Sequence, residues 1–168
     1  DFLSEIWKGY RHCTGKDFDK SPETNVAAKT LKDLGKKISS LPDGNKYYRK
    51  IEKIFNERLK GFTDNSLDWG SAEMLAYASL LTEGHPVRIS GQDVERGTFS
   101  HRHAIVKTED TEKEITTLNL LDKNQAEFTI YNSLLSEYGV LGFEYGYSLA
   151  CPKGLTIWEA QFGDFVNG

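Results

Sequence analysis

In the first 65 residues, apolar positions recur at the spacing of an α-helix. One helix over residues 26–39 is predicted by Val26, Leu31, Leu34 and Ile38. A turn at residues 41–44 follows, where proline presets φ and glycine admits positive φ. A second apolar face then consists of Tyr47, Ile51, Ile54, Phe55 and Leu59. These stretches predict a helical appendage that packs on a neighbouring domain and turns its basic side to solvent.

Beyond a polar run at residues 62–66, which we expect to be a linker, the pattern changes. A helix rich in Ala and Leu is predicted before Gly84, a residue that commonly ends helices. This helix covers residues 69–83. Three apolar runs predict strands at residues 87–90, 128–131 and 155–160, and a second helix at residues 137–150 precedes the last strand. This alternation is typical of a parallel sheet with crossover helices. We therefore predict an α/β fold, a parallel sheet flanked by helices, in residues 66–168, with residues 1–65 as the appendage.

The excursion between the first two strands is polar and irregular. A strand over residues 101–106 is possible, and we expect the next twenty residues to be a solvated loop with a short apolar piece at 118–121. In an extended segment, His101 and His103 would face one way and Arg102 the other. All three side chains could donate to a carboxylate or phosphate. The two histidines could instead bind a metal, although no third ligand stands at a recognisable spacing. A surface strand with satisfied polar groups is the alternative.

Composition narrows the functional classes. The chain has 168 residues, enough for one sizeable core, and a formal net charge of −4, which argues against a phosphate backbone as partner. The two cysteines, Cys13 and Cys151, form no disulfide framework and no CxxC motif, so we expect inert thiols in a reducing compartment, the cytoplasm or an organelle matrix. No apolar run is long enough for a membrane span. The abrupt start, and an end just after a strand, suggest a fragment of a longer protein.

Parallel strands predict where a ligand would bind. The crevice of an open α/β sheet lies beyond the carboxyl ends of its strands. Three stretches should meet there, residues 91–93, 133–137 and 161–165.

Glu137 stands at this edge, in the first turn of its helix, with Ser133 or Ser136 as candidate N-cap. A glutamate that only complements the helix dipole is the alternative to a functional one. Three glycines share one face of the helix, Gly139, Gly142 and Gly146. Such a face usually lets another backbone approach closely. Glu144, seven residues after Glu137, is interpreted as a structural partner.

Phe162 follows the last strand and is either a core residue or a platform for a flat ring. Glu159 and Asp164 beside it would need partners if buried. No GxGxxG, Walker or GxSxG motif is present.

Several long motifs then point to one family. They lie at residues 68–73, 87–93, 96–104, 135–137, 143–147 and 156–165. In this order they closely resemble the thiamine-diphosphate-dependent component of the 2-oxoglutarate dehydrogenase complex. The resemblance is dense from residue 68 to residue 168, whereas residues 1–60 are less distinctive.

The resemblance implies that residues 66–168 are the first part of a transketolase-like pyrimidine-binding domain. It implies that Glu137 bonds the aminopyrimidine ring of thiamine diphosphate and promotes the imino tautomer, that Phe162 stacks on that ring, and that His101 and His103 contact the 2-oxo acid. Related enzymes usually carry an acidic residue in place of Gln92, which leaves Asp93 as the polar anchor.

The resemblance also implies partners that this chain lacks. The family binds the diphosphate through Mg²⁺ on a separate domain, and no metal site is expected here. The fragment alone would be inactive, holding half of a site that a homodimer completes. The intact oxidoreductase would decarboxylate 2-oxoglutarate in the tricarboxylic acid cycle and pass succinyl to lipoyl on an acyltransferase, in the cytoplasm or the mitochondrial matrix. The alternatives are another thiamine-dependent 2-oxo acid dehydrogenase, decarboxylase or transketolase, and a non-catalytic α/β interaction domain.

Overall fold

The computed structural model describes residues 3–163, in which three helices precede the strands and a fourth lies between the last two strands. The helices are α1 (Ala28–Ile38), α2 (Arg49–Asp64), α3 (Trp69–Thr82) and α4 (Glu137–Ala150). The strands are β1 (Val87–Gly91), β2 (Ile105–Lys107), β3 (Glu114–Thr116), β4 (Phe128–Asn132) and β5 (Leu155–Glu159). Short 3₁₀ turns cover Gly15–Phe18 and Thr117–Asn119.

The main sheet has three parallel strands in the order β4-β1-β5. Ile89 at the centre of β1 pairs in register with Ile130 on one side and Ile157 on the other. Helix α4 connects β4 to β5 and packs against β5 and β1. The predicted α/β fold with a parallel sheet is confirmed.

The core lies between this sheet and helices α3 and α1. Helix α3 contributes fully buried side chains such as Met74 and Leu81, which pack with Ile89 of β1. Leu34 and Ile38 of α1 belong to the same core. The first two helices thus share apolar packing with the sheet domain, and the boundary drawn between residues 65 and 66 stays a prediction.

The predicted linker at residues 62–66 is wrong. Helix α2 continues to Asp64, and Phe62 is buried against α1, where a Cβ added to Gly35 would lie 2.6 Å from its ring. The helix ends only at Asn65, which adopts the left-handed conformation and donates its N–H to the carbonyl of Gly61. Packing of Phe62 outweighed the polar character of the segment.

The predicted strand over residues 101–106 and the long solvated loop after it also need correction. Only Ile105–Lys107 is strand, and it pairs antiparallel with Glu114–Thr116 inside the supposed loop. This hairpin buries Val106 and Ile115 in a small second core with Phe55 of α2. Residues 101–104 are irregular, with a φ of +41° at His103.

Among residues 3–163, no helix combines the length and apolar character needed to cross a bilayer.

Candidate functional site

The three stretches predicted to meet beyond the carboxyl ends of the strands do meet, as far as residue 163. The N–H of Ser133 donates to the carbonyl of Gly91 over 2.8 Å, and the side-chain amide of Gln92 lies 3.4 Å from the carbonyl of Leu135. The N–H of Gln161 donates to Oε1 of Glu137 over 2.6 Å. Asp164 and Phe165 of the predicted turn lie outside the described residues.

Glu137 is the first residue of α4, and its side chain is buried, with the residue only 4% exposed. Ser136 is the N-cap residue but makes no side-chain capping bond. The Glu137 carboxylate instead accepts N–H groups from the turn after β5, those of Gln161 and Phe162, the latter at 3.3 Å to each oxygen. The helix N-terminus and these donors together favour a negative charge at this buried position.

Phe162 is not a core residue, because 66% of it is exposed. Its backbone N–H donates to Glu137, and most of the residue is exposed to solvent. An aromatic face held by a fixed backbone beside a buried carboxylate is suited to a flat heteroaromatic ring.

A cavity of about 490 Å³ joins this turn to the histidine segment. Its lining includes Phe162 and Gln161 on one segment and His101 and Phe99 on the other. A second cavity of about 570 Å³ shares Phe99, His101 and Glu73 with the first and continues to the start of α3. His101 therefore lines both cavities.

In an extended segment Arg102 was expected to face away from the two histidines; in the structure the segment is irregular and Arg102 is only 2% exposed. Its guanidinium donates to the carbonyl of Val94 over 2.7 Å and to Oε1 of Glu73 over 3.0 and 3.2 Å, and it forms an ion pair with Glu159. Burial acts to lower the pKa of Arg102, but its hydrogen bond to Glu159 and the charges of Glu73 and Glu159 raise it more. The guanidinium therefore stays charged beneath the cavity.

Glu159 is thus paired, with Arg102 as its partner, while Asp164 lies outside the described residues. The sequence predicted Arg102 as a possible donor to a carboxylate, but it did not indicate that its partners would be Glu159 and Glu73, nor that Glu73 would line the cavities. Glu73 is one helical turn before Tyr77, whose hydroxyl donates to Oε1 over 2.5 Å. Burial, and then the bond to Glu73, raise the pKa of Tyr77, so the phenol keeps its proton and remains a donor.

The structure separates the two histidines that the sequence analysis paired. His103 is buried and does not line either cavity around His101, and within residues 3–163 its Nε2 atom has no hydrogen-bond partner. Burial lowers the pKa of His103, and the nearby charges of Lys50 and Arg58 lower it further. Arg58 also supports the segment by donating to the carbonyl of Arg102 over 2.8 Å. His103 is therefore a neutral, packed imidazole.

The segment after β1 turns sharply at Asp93, which has a φ of +54°. Its carboxylate forms an ion pair with Arg96, and Arg96 in turn donates to the hydroxyl of Ser100 over 2.6 Å. Asp93 thus anchors the loop that leads to His101.

The interpretation of Glu144 as a structural partner agrees with the geometry, since Glu144 binds Arg88 of β1. The glycine face of α4 has no close neighbour in the described part of the chain. A Cβ added to Gly142 or Gly146 would meet nothing within 4 Å, and one at Gly139 would meet only the hydroxyl of Ser136.

A metal site finds no support in the part of the chain that the structure describes. No three His, Cys, Asp or Glu side chains come together there in a way that could hold an ion. The HxH spacing is not a ligand pair in this fold, because His101 borders the cavity and His103 is packed inside.

Comparison with known proteins agrees with these features. The chain is 47% identical over its whole length to the 2-oxoglutarate dehydrogenase E1 component of Brucella ovis, and 46% identical to that of Brucella anthropi, and it spans 17% of the length of each. The resemblance drawn from the motifs is thereby confirmed. Residues 65–167 match the family described as the transketolase pyrimidine-binding domain. Because this match covers more than half of the chain, the chain belongs to the transketolase pyrimidine-binding domain family.

Proposed function

We propose that this chain supplies the pyrimidine-binding half of a thiamine diphosphate site in a 2-oxoglutarate dehydrogenase that transfers succinyl to lipoyl. The observation that carries the proposal is the buried Glu137 carboxylate, fixed by two backbone N–H groups beside the exposed ring of Phe162. The similarity to E1 components over the whole chain supports the choice of reaction.

The residues present fit an aminopyrimidine. The buried Glu137 carboxylate accepts the N–H groups of Gln161 and Phe162 and so lies against the turn that carries the Phe162 ring. A pyrimidine nitrogen can share a proton with such a buried carboxyl group. The Phe162 ring offers a stacking face in the same turn.

Each residue has a distinct task in this proposal. Glu137 holds a proton between its carboxylate and a pyrimidine nitrogen, and the dry position strengthens that interaction. Phe162 orients the ring by stacking. When bound, thiamine diphosphate supplies the carbanion chemistry that decarboxylation of a 2-oxo acid requires.

His101 is the substrate contact that the geometry supports, since it borders the cavity that also contains Phe162. Its imidazole could donate to a carboxylate of 2-oxoglutarate. The same role for His103 stays a prediction, and it requires that the buried imidazole become accessible.

Other parts of the proposal concern the rest of the protein. The diphosphate and its Mg²⁺ would bind a domain outside this chain, and a homodimer would bring the two halves together. A lipoyl-bearing succinyltransferase would accept the product. The fragment alone is expected to be inactive, and the intact enzyme to work in the cytoplasm or the mitochondrial matrix as part of the tricarboxylic acid cycle.

The test uses the full-length protein that contains this chain. Calorimetry with thiamine diphosphate and Mg²⁺ should show binding, and a panel of 2-oxo acids should show turnover with 2-oxoglutarate above all others. Glu137→Ala should lower kcat by about 10²–10⁴-fold, the usual contribution of a positioned proton-transfer group. Near-normal turnover of this variant would overturn the role of Glu137.

The panel and the calorimetry also separate the rival functions. Preference for another 2-oxo acid would indicate a different thiamine-dependent dehydrogenase or decarboxylase, and a ketol substrate would indicate a transketolase. Absence of any heat of binding would indicate a non-catalytic interaction domain.

A further inference from the structure

The turn that holds Glu137 is itself attached to an ion pair whose arginine is buried and whose glutamate is partly exposed. Glu159 is the last residue of β5, and its carboxylate binds the guanidinium of Arg102. A second bond joins Nη1 of Arg102 to the other Glu159 oxygen over 3.3 Å. Two residues further along the chain, the N–H of Gln161 donates to Glu137. One short backbone segment therefore connects Arg102 to the Glu137 carboxylate.

Arg102 is a rigid point of attachment. Its guanidinium is held by the carbonyl of Val94, which follows β1, and by Glu73 of α3. Its own carbonyl accepts a bond from the buried Arg58 of α2. Two-point pairs between a guanidinium and a carboxylate fix orientation as well as distance. The position of the end of β5 is thus fixed by α3 and by the segment after β1, which lie outside the turn.

The turn lies at the surface. Gln161 and Phe162 are both exposed, and Gly163 has a φ of +61° with no atom within 4 Å of an added Cβ. The ion pair at Glu159 and the hydrogen bonds to Glu137 hold the segment at two points.

We propose that Glu159 is a positioning residue for Glu137. Through Arg102 it fixes the turn whose N–H groups orient the Glu137 carboxylate and whose ring is Phe162. Its importance for cofactor binding rests on the proposed function, but its effect on the turn does not. Displacements of about 1 Å in a supporting shell are enough to weaken a preorganised site strongly.

The experiment compares Glu159→Gln with Glu114→Gln in the full-length protein. Both variants remove the carboxylate of an ion pair, but Glu114 pairs with Lys107 on the β2–β3 hairpin and only Glu159 is joined to the turn. The first readout is amide hydrogen exchange of a peptide that contains residues 160–163, measured without cofactor. We expect exchange to be about tenfold faster in Glu159→Gln and within about twofold of the unmodified protein in Glu114→Gln.

The second readout is the Kd for thiamine diphosphate with Mg²⁺ present. We expect Glu159→Gln to weaken binding about tenfold and Glu114→Gln to change it by less than about twofold. Glu159→Asp keeps the charge and should recover part of the affinity. Aspartate keeps the charge that pairs with Arg102, so Glu159→Asp replaces Glu159→Gln as the test if the latter does not fold. Glu159→Asp should then show faster exchange and a higher Kd than the unmodified protein, by smaller factors than those given for Glu159→Gln.

The outcomes separate the two proposals. Unchanged exchange in the Glu159 variants, or equal effects of Glu159→Gln and Glu114→Gln, would overturn the positioning role. If the unmodified protein binds no thiamine diphosphate, the proposed function fails, and hydrogen exchange alone still decides whether Glu159 holds the turn.

Discussion

Arg88 of β1 and Glu144 of α4 form three hydrogen bonds of 2.8 to 3.1 Å across the face of the sheet. Three aromatic rings surround the guanidinium, with centroids at 4.7, 4.8 and 5.4 Å: Tyr147, Tyr131 and Phe143. The hydrogen bond to Glu144 raises the pKa of Arg88, although burial opposes the shift. The pair holds α4, the helix that begins with Glu137, against the sheet.

Glu144→Ala should therefore loosen α4. Removing one partner of a buried ion pair typically costs about 3–5 kcal/mol, because the remaining charge is left without compensation. Partial exposure of Arg88 places the expected loss at the lower end of this range. The free energy of opening of the α4 amides, measured by hydrogen exchange, checks the prediction.

A double variant provides the control for this pair. Arg88→Met with Glu144→Leu removes both charges and keeps apolar volume, so it should recover most of the stability that Glu144→Ala loses. If Glu144→Ala changes the opening free energy by less than about 0.5 kcal/mol, within the range of ordinary surface substitutions, the pair does not fasten the helix.

Gly91 marks a point where the chain has no room for a side chain. A Cβ there would lie 2.4 Å from the carbonyl oxygen of Glu159 and 2.6 Å from Cγ1 of Val94. Gly91→Ala must push β5 away from β1, at a cost of about 1–3 kcal/mol or more. We expect a lower Tm and a weaker hold on the Glu159 turn. Gly15→Ala is the matched control, because nothing lies within 4 Å of its added Cβ, and its Tm should be unchanged.

The sequence predicted those elements whose pattern is local. The three strands of the main sheet were placed within one residue at each end, because each is a short apolar run bounded by polar or turn residues. The meeting of Gly91, Glu137 and Gln161 followed from parallel topology alone.

The prediction failed where distant residues decide the local structure. Alternation around Arg102 indicated a strand, but the side chain turns inward to Glu73, 29 residues away, and Glu159, 57 residues away. Phe62 was assigned to a linker because its neighbours are polar, whereas its contact with Gly35 keeps it helical. Neither contact leaves a periodic signal in the sequence.

Replacing Phe162 should affect cofactor binding but not the stability of the fold. Its ring is mostly exposed, so Phe162→Ala should change the free energy of unfolding by no more than about 0.5 kcal/mol. Loss of stacking should weaken thiamine diphosphate binding by about 0.5–1.5 kcal/mol, up to roughly tenfold in Kd. Calorimetry on the full-length protein measures this. Phe162→Tyr keeps the ring and should bind normally; a similar loss in both variants would contradict stacking.

His103 should make stability depend on pH. Its pKa lies below the value of 6.5 expected in the unfolded chain, chiefly because of burial and then because of Lys50, Arg58, Arg96 and His101. As pH falls below 6.5, the unfolded chain binds a proton at this position before the folded chain does. The free energy of unfolding therefore decreases with acidification, by at most about 1.4 kcal/mol per pH unit from this residue, until the pH reaches the lowered pKa.

His103→Asn removes this titration while suiting the local backbone, because asparagine tolerates the positive φ of 41°. The free energy of unfolding is measured by urea denaturation at several values between pH 5 and pH 7.5, with hydrogen exchange of the β2 amides as the probe. It should fall less on acidification in the variant than in the unmodified protein. His12→Asn, at an exposed position, should keep the pH dependence of the unmodified protein. Equal slopes for His103→Asn and the unmodified protein would mean that the buried imidazole gains its proton as readily in the folded state as in the unfolded one.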